Sequence, residues 1–105
     1  MDGAARYDEL CDDLVARYPQ VEQTKMMGMA SLKADGRLFA GFSADENAMT
    51  FKLTDPADHA RALGFSGSHL FDPSGRGRPM REWVVVPSDF ADEWPGLALA
   101  AAGLS

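Results

Sequence analysis

Apolar and polar positions along the chain follow two periods, and the period changes near residue 24. Tyr7, Leu10, Cys11, Leu14, Val15 and Tyr18 recur in steps of three and one, which is one stripe of an α-helix. Asp8, Glu9, Asp12 and Asp13 lie off that stripe, and Pro19 stops it. From Thr24 the period becomes two. Met26, Gly28, Ala30 and Leu32 then share one face of a strand, and Met27, Met29, Ser31 and Lys33 share the other. Asp35-Gly36 is a hairpin signal. A second strand places Leu38, Ala40 and Phe42 opposite Phe39, Gly41 and Ser43. The polar stretch Ala44-Asp45-Glu46-Asn47 turns the chain into a third strand, in which Met49, Phe51 and Leu53 alternate with Thr50 and Lys52. Residues 24–53 thus read as a three-stranded antiparallel meander.

Beyond the meander, Asp55-Pro56 opens a short helix. Thr54 or Asp55 can cap it, and Gly64 can end it. A short strand is expected between Phe65 and Phe71, a loop over 72–79, and a fifth strand from Met80 to Val86. The last helix is expected over residues 92–103, with Leu97, Ala98, Ala101 and Leu104 as its apolar stripe. The predicted order is α-β-β-β-α-β-β-α. It describes an α+β fold, a two-layer α/β sandwich with a five-stranded, mainly antiparallel sheet and its helices on one face.

With 105 residues, 46% hydrophobic and 25% charged, the chain is expected to form one domain over 1–105. The single cysteine excludes an internal disulfide and suits a reducing compartment. The N-terminus lacks the basic start and apolar core of a signal peptide, and no apolar run is long enough for a membrane span. A cytoplasmic protein without membrane contact is the expectation. The net charge of −6 is concentrated near the start, in Asp2, Asp8, Glu9, Asp12, Asp13 and Glu22. That field repels phosphate backbones, so autonomous nucleic-acid binding is disfavoured.

Several short segments, in order, resemble the N-terminal domain of the TfoX/Sxy family. They are Lys25-Met26-Met27-Gly28-Met29, Gly36-Arg37-Leu38-Phe39-Ala40, Met49-Thr50-Phe51-Lys52-Leu53, Gly77-Arg78-Pro79-Met80 and Trp83-Val84-Val85-Val86-Pro87. The resemblance spans most of residues 20–104. It implies the same helix–strand order and a link to bacterial regulators of natural competence. Full-length regulators continue into a second domain, so this chain is expected to be a stand-alone N-terminal-type domain. The resemblance carries over no catalytic residue.

The candidate chemistry is sparse. Cys11 falls on the apolar stripe, where a buried thiol is expected. His59 and His69 lack the converging ligands of a metal site. The acid pairs Asp12-Asp13 and Asp45-Glu46 fall on a polar helix side and in a turn, where they are solvated. No nucleophile–base pair, metal set or cofactor motif stands out, so no enzyme activity and no cofactor are expected. Arg76, Arg78 and Arg81 flank glycines whose backbone N–H groups could cradle an anion, which makes them candidate anion-binding residues. Met27, Met29, Phe39 and Trp83 fall on the sheet face away from the helices. Uncovered apolar side chains there suggest an interface, for a protein partner or, most simply, a twofold homodimer. The leading expectation is a non-enzymatic interaction or regulatory module acting through protein contacts. The alternative is a small-molecule or anion-binding domain using the Arg76–Arg81 segment.

Overall fold

The computed structural model describes residues 2–26 and 28–104. Helix α1 (Gly3–Arg17) starts at Asp2, whose carboxylate accepts a hydrogen bond from the Ala4 N–H at 3.1 Å. Its buried stripe is Gly3, Tyr7, Leu10, Cys11 and Leu14. Val15, expected on that stripe, is 41% exposed and lies beside the buried row that ends in Leu14.

Six antiparallel strands follow the order β1-β2-β3-β4-β6-β5. They are β1 (Val21–Met26), β2 (Met29–Ala34), β3 (Arg37–Ser43), β4 (Ala48–Lys52), β5 (His69–Phe71) and β6 (Met80–Pro87). The fold is α+β, as expected, but the sheet has six strands and not five. The single long strand expected after Thr24 is two strands, with Gly28 between them at φ +82°. Met26 therefore pairs with Met29 and shares its face, where the sequence pattern had set the two apart. The next hairpin turns at Asp35 and Gly36, both at positive φ, as the Asp-Gly signal requires.

A bulge corrects a second expectation. Leu32 pairs with Ala40, but the next residue, Lys33, pairs with Leu38. Phe39 is the extra residue, and the bulge turns it to the same side as Ala40. It is 3% exposed and belongs to the core. Phe39 is thus not an interface residue on the outer face.

Three helices cover the sheet's inner face: α1, α2 (Pro56–Leu63) and α3 (Trp94–Ala102). A 3-10 segment, Ser88–Glu93, leads into α3 and takes the place of the helix start expected at Asp92. Asp55 caps α2 by accepting from the Asp58 N–H, and Gly103 ends α3 at φ +73°. The core joins Tyr7, Leu10, Cys11 and Leu14 to Leu32, Phe42, Met49, Phe51, Val84, Val86, Trp94 and Leu97. Phe42 stacks on Tyr7 at 5.3 Å and meets Trp94 edge-on at 6.3 Å. The buried indole N–H of Trp94 donates to the Val86 carbonyl at 3.2 Å, so Trp94 is both packed and satisfied. Among the described residues no helix is long and apolar enough to cross a membrane.

Candidate functional site

Strand alternation assigns the outer face. Cross-strand partners share a side, so one row runs Thr24, Ser31, Gly41, Thr50, Val85 and His69 across all six strands. These are small or β-branched residues flanked by His69, and they leave a shallow surface. Ser31, Thr50 and Val85 are nonetheless buried. Met29 supplies part of the cover. Met29 lies over Gly41 so closely that a Cβ there would come within 2.8 Å of the Met29 methyl carbon. His69 reaches Glu46 in the β3–β4 turn at 3.0 Å, which ties the edge strand β5 to that turn at the end of β6.

At one end of this face Met26 stands 44% exposed beside half-buried Met29. At the other end Trp83 pairs with Lys52 and is half-buried, and Leu38, paired with Lys33, is half-buried too. Met29 and Trp83 thus lie on the expected face, Phe39 does not, and Met27 falls outside the described residues. Met26 and Leu38 join the face in their place. Met26 was missed because its position depends on the turn at Gly28, and that glycine was the available signal.

The arginine loop is organised from within. Asp72 accepts from the Ser74 hydroxyl at 2.9 Å, the Gly75 N–H at 3.1 Å and the Gly77 N–H at 2.9 Å. The Ser74 hydrogen bond, with help from those backbone N–H groups, holds the Asp72 carboxyl below the usual carboxylate range. The loop's own carboxylate therefore occupies the cradle expected for an external anion. Arg76, Arg78 and Arg81 are all exposed, with no ion pair among the described residues.

The other candidate groups are accounted for locally. Burial pushes the Cys11 thiol up to about 11, and its hydrogen bond with Tyr7 acts the other way. Burial likewise raises the Tyr7 hydroxyl. A buried, protonated thiol is a poor nucleophile. The His59 ring donates from Nε2 to the Arg81 carbonyl at 2.7 Å. Asp13 pairs with Arg17 one turn on, at 3.1 Å. Among the described residues no group of three or more His, Cys, Asp or Glu side chains is placed to hold a metal ion.

A cleft of about 480 Å³ lies away from the arginine loop, where Arg37, Phe39, Lys52 and Ala101 come together; Leu38 and Lys52, which border it, also lie on the open face. Sequence reasoning missed it. The register shows where it opens: the β3–β4 ladder ends at Ala40–Phe51, and the residues just past that end, Arg37 to Phe39 on one side and Lys52 and Thr54 on the other, line the cleft. Comparison with family models, with curated proteins and with solved structures finds no match to this chain.

Proposed function

We propose that this domain is a non-enzymatic interaction and regulatory module that works through its open sheet face, with a second copy of the chain as the first partner. The observation that carries this reading is the outer face itself: among the described residues no helix packs on it, and Met26, Met29, Leu38 and Trp83 lie along it. Methionine and tryptophan suit such contacts, since one adapts its shape and the other presents a large rigid area.

Size and charge favour a second copy. Six strands about 4.8 Å apart and near 20 Å long give a flat footprint of roughly 500 Å². Side-chain relief brings the accessible area toward the ~800 Å² per partner of a stable dimer. The molecule carries a net charge of −6, yet this face sets Glu22 and Glu46 against Lys33, Lys52 and Arg81. Its acid excess sits elsewhere, notably on exposed Asp8, Glu9, Asp12 and Asp13 of α1. Two copies meeting face to face avoid that repulsion.

The segmental resemblance to the TfoX/Sxy N-terminal domain supports the regulatory part of the reading. An anion-binding role for Arg76, Arg78 and Arg81 has less support, because Asp72 already fills the loop's N–H cradle.

Light scattering on a sizing column at tens of micromolar tests the dimer. The expected mass is twice 11.4 kDa, falling to the monomer when Met26→Asp and Trp83→Ser are combined. A wild-type monomer throughout that range ends the second-copy reading. A dimer unaffected by the double variant moves the interface off this face.

A further inference from the structure

The cleft near Arg37 arises from a divergence of two strands. The β3–β4 ladder stops at Ala40–Phe51, although β3 begins at Arg37. Past that point β3 stays with β2, through Lys33–Leu38 and Ala34–Arg37. β4 stays with β6 instead, through Lys52–Trp83 and a 2.7 Å bond from the Leu53 N–H to the Glu82 carbonyl. The gap between them is closed behind by the end of α3 at Ala101, and its volume of about 480 Å³ falls within the usual range of small-molecule sites.

The lining is chemically uneven. Arg37 comes from β3 and Lys52 from β4, one on each side of the gap. Neither makes an ion pair among the described residues. Asp35 is the one acid in the lining, so the cleft carries an excess of one positive charge in a molecule of net −6. Phe39, turned inward by the bulge, forms the floor beside half-buried Leu38 and Ala101. Thr54 adds a hydroxyl at the rim.

We propose that this cleft binds a small organic monoanion, a carboxylate on a flat apolar body. Arg37 presents a fork that matches both carboxylate oxygens, and Lys52 adds a point charge from the other side. The apolar body lies along Leu38 and Ala101. Two features select one negative charge over two. Asp35 repels a second charge, and α3 points its negative end at the cleft. At that end the carbonyls of Leu99 and Ala100 are met by the Leu104 and Gly103 N–H groups, which tempers the repulsion without removing it.

Amide chemical shifts during a benzoate titration test the proposal, with benzamide and inorganic phosphate as controls. Benzoate is expected to give saturable shifts grouped at Arg37, Leu38, Lys52, Thr54 and Ala101. Arg37→Gln or Lys52→Gln should each weaken binding about ten-fold, since each removes a charge-assisted hydrogen bond. Both side chains reach solvent, and the amide spectrum itself reports whether each variant is folded. Lys25→Gln, on the edge strand β1 and outside the cleft lining, should leave the affinity unchanged. Benzamide and phosphate should bind much more weakly than benzoate. Absent or scattered shifts overturn the proposal. So do equal responses to benzoate and benzamide, tighter binding of phosphate, or affinities indifferent to Arg37 and Lys52.

Discussion

Val84 and Val85 are neighbours on β6, both are buried, and they face opposite sides of the sheet. Val84 points into a layer of helices, among Phe51, Trp94 and Leu97. Val85 lies in the outer row between Thr50 and His69, away from that layer. Equal exposure therefore hides two kinds of burial. On the inner side three helices hold the core in place, and a missing methyl group leaves a void. On the outer side no helix layer lies over the row among the described residues, and side chains there, such as Met29 over Gly41, can settle inward.

Truncation gives the largest test of this contrast. Val84→Ala should lose about 2 kcal/mol or more, because the helix layer cannot collapse onto the space. Val85→Ala should lose roughly half as much, as its neighbours close in. Urea unfolding of the two variants measures both, and equal losses would break the distinction.

A second test uses Cys11, deep on the inner side. Its thiol is raised from 9.0 to about 11 mainly by burial. Above pH 9 the unfolded chain sheds this proton while the folded chain keeps it, so stability falls as pH rises through that window. Wild type should therefore lose stability relative to Cys11→Ala, on the order of 1 kcal/mol by about pH 10. Urea midpoints across pH, with both proteins, check the sign. Tyr7 is raised by burial in both proteins, and its contact with Cys11 raises it further in the wild type alone, which acts in the same direction.

The smallest effect belongs to Thr50. Its hydroxyl is buried on the outer side with no hydrogen-bond partner. Thr50→Val should leave stability unchanged or raise it by less than about 1 kcal/mol. A clear loss in the same urea measurement would reveal a hydroxyl that is structurally engaged.

What could be read from residue patterns, and what could not, follows the same divide. The stripe of α1 and the Asp35–Gly36 hairpin were legible because one layer imposes a strict period and a tight turn imposes a residue type. Strand β1 was only partly legible: Thr24 to Met26 fell within one long expected strand, while its start at Val21 and the turn at Gly28 were missed. It is an edge strand whose only buried residue is Val21, so the alternation that marks a strand is missing from it. Phe39 misled for a different reason: a bulge adds one residue and reverses the alternation beyond it, with no local sequence signature. The arginine loop was visible as a composition, but the filling of its cradle by Asp72 is a matter of three-dimensional closure. Arg37 and Lys52 are separated along the chain, and they meet only because a ladder stops early.

The two outer strands also bear on how the protein behaves while crowded. An exposed strand edge is a template on which other chains can add, and such addition leads to insoluble aggregates. β5 offers only three residues, His69 to Phe71, before the chain leaves the sheet. β1 is longer but carries Glu22, Gln23 and Lys25 exposed. An incoming strand would have to pair against charged and amide side chains on both sides. The polar character that hid the start of β1 from pattern reading therefore keeps the strand from recruiting neighbours during synthesis. Growth of the sheet by strand addition at either edge is disfavoured accordingly.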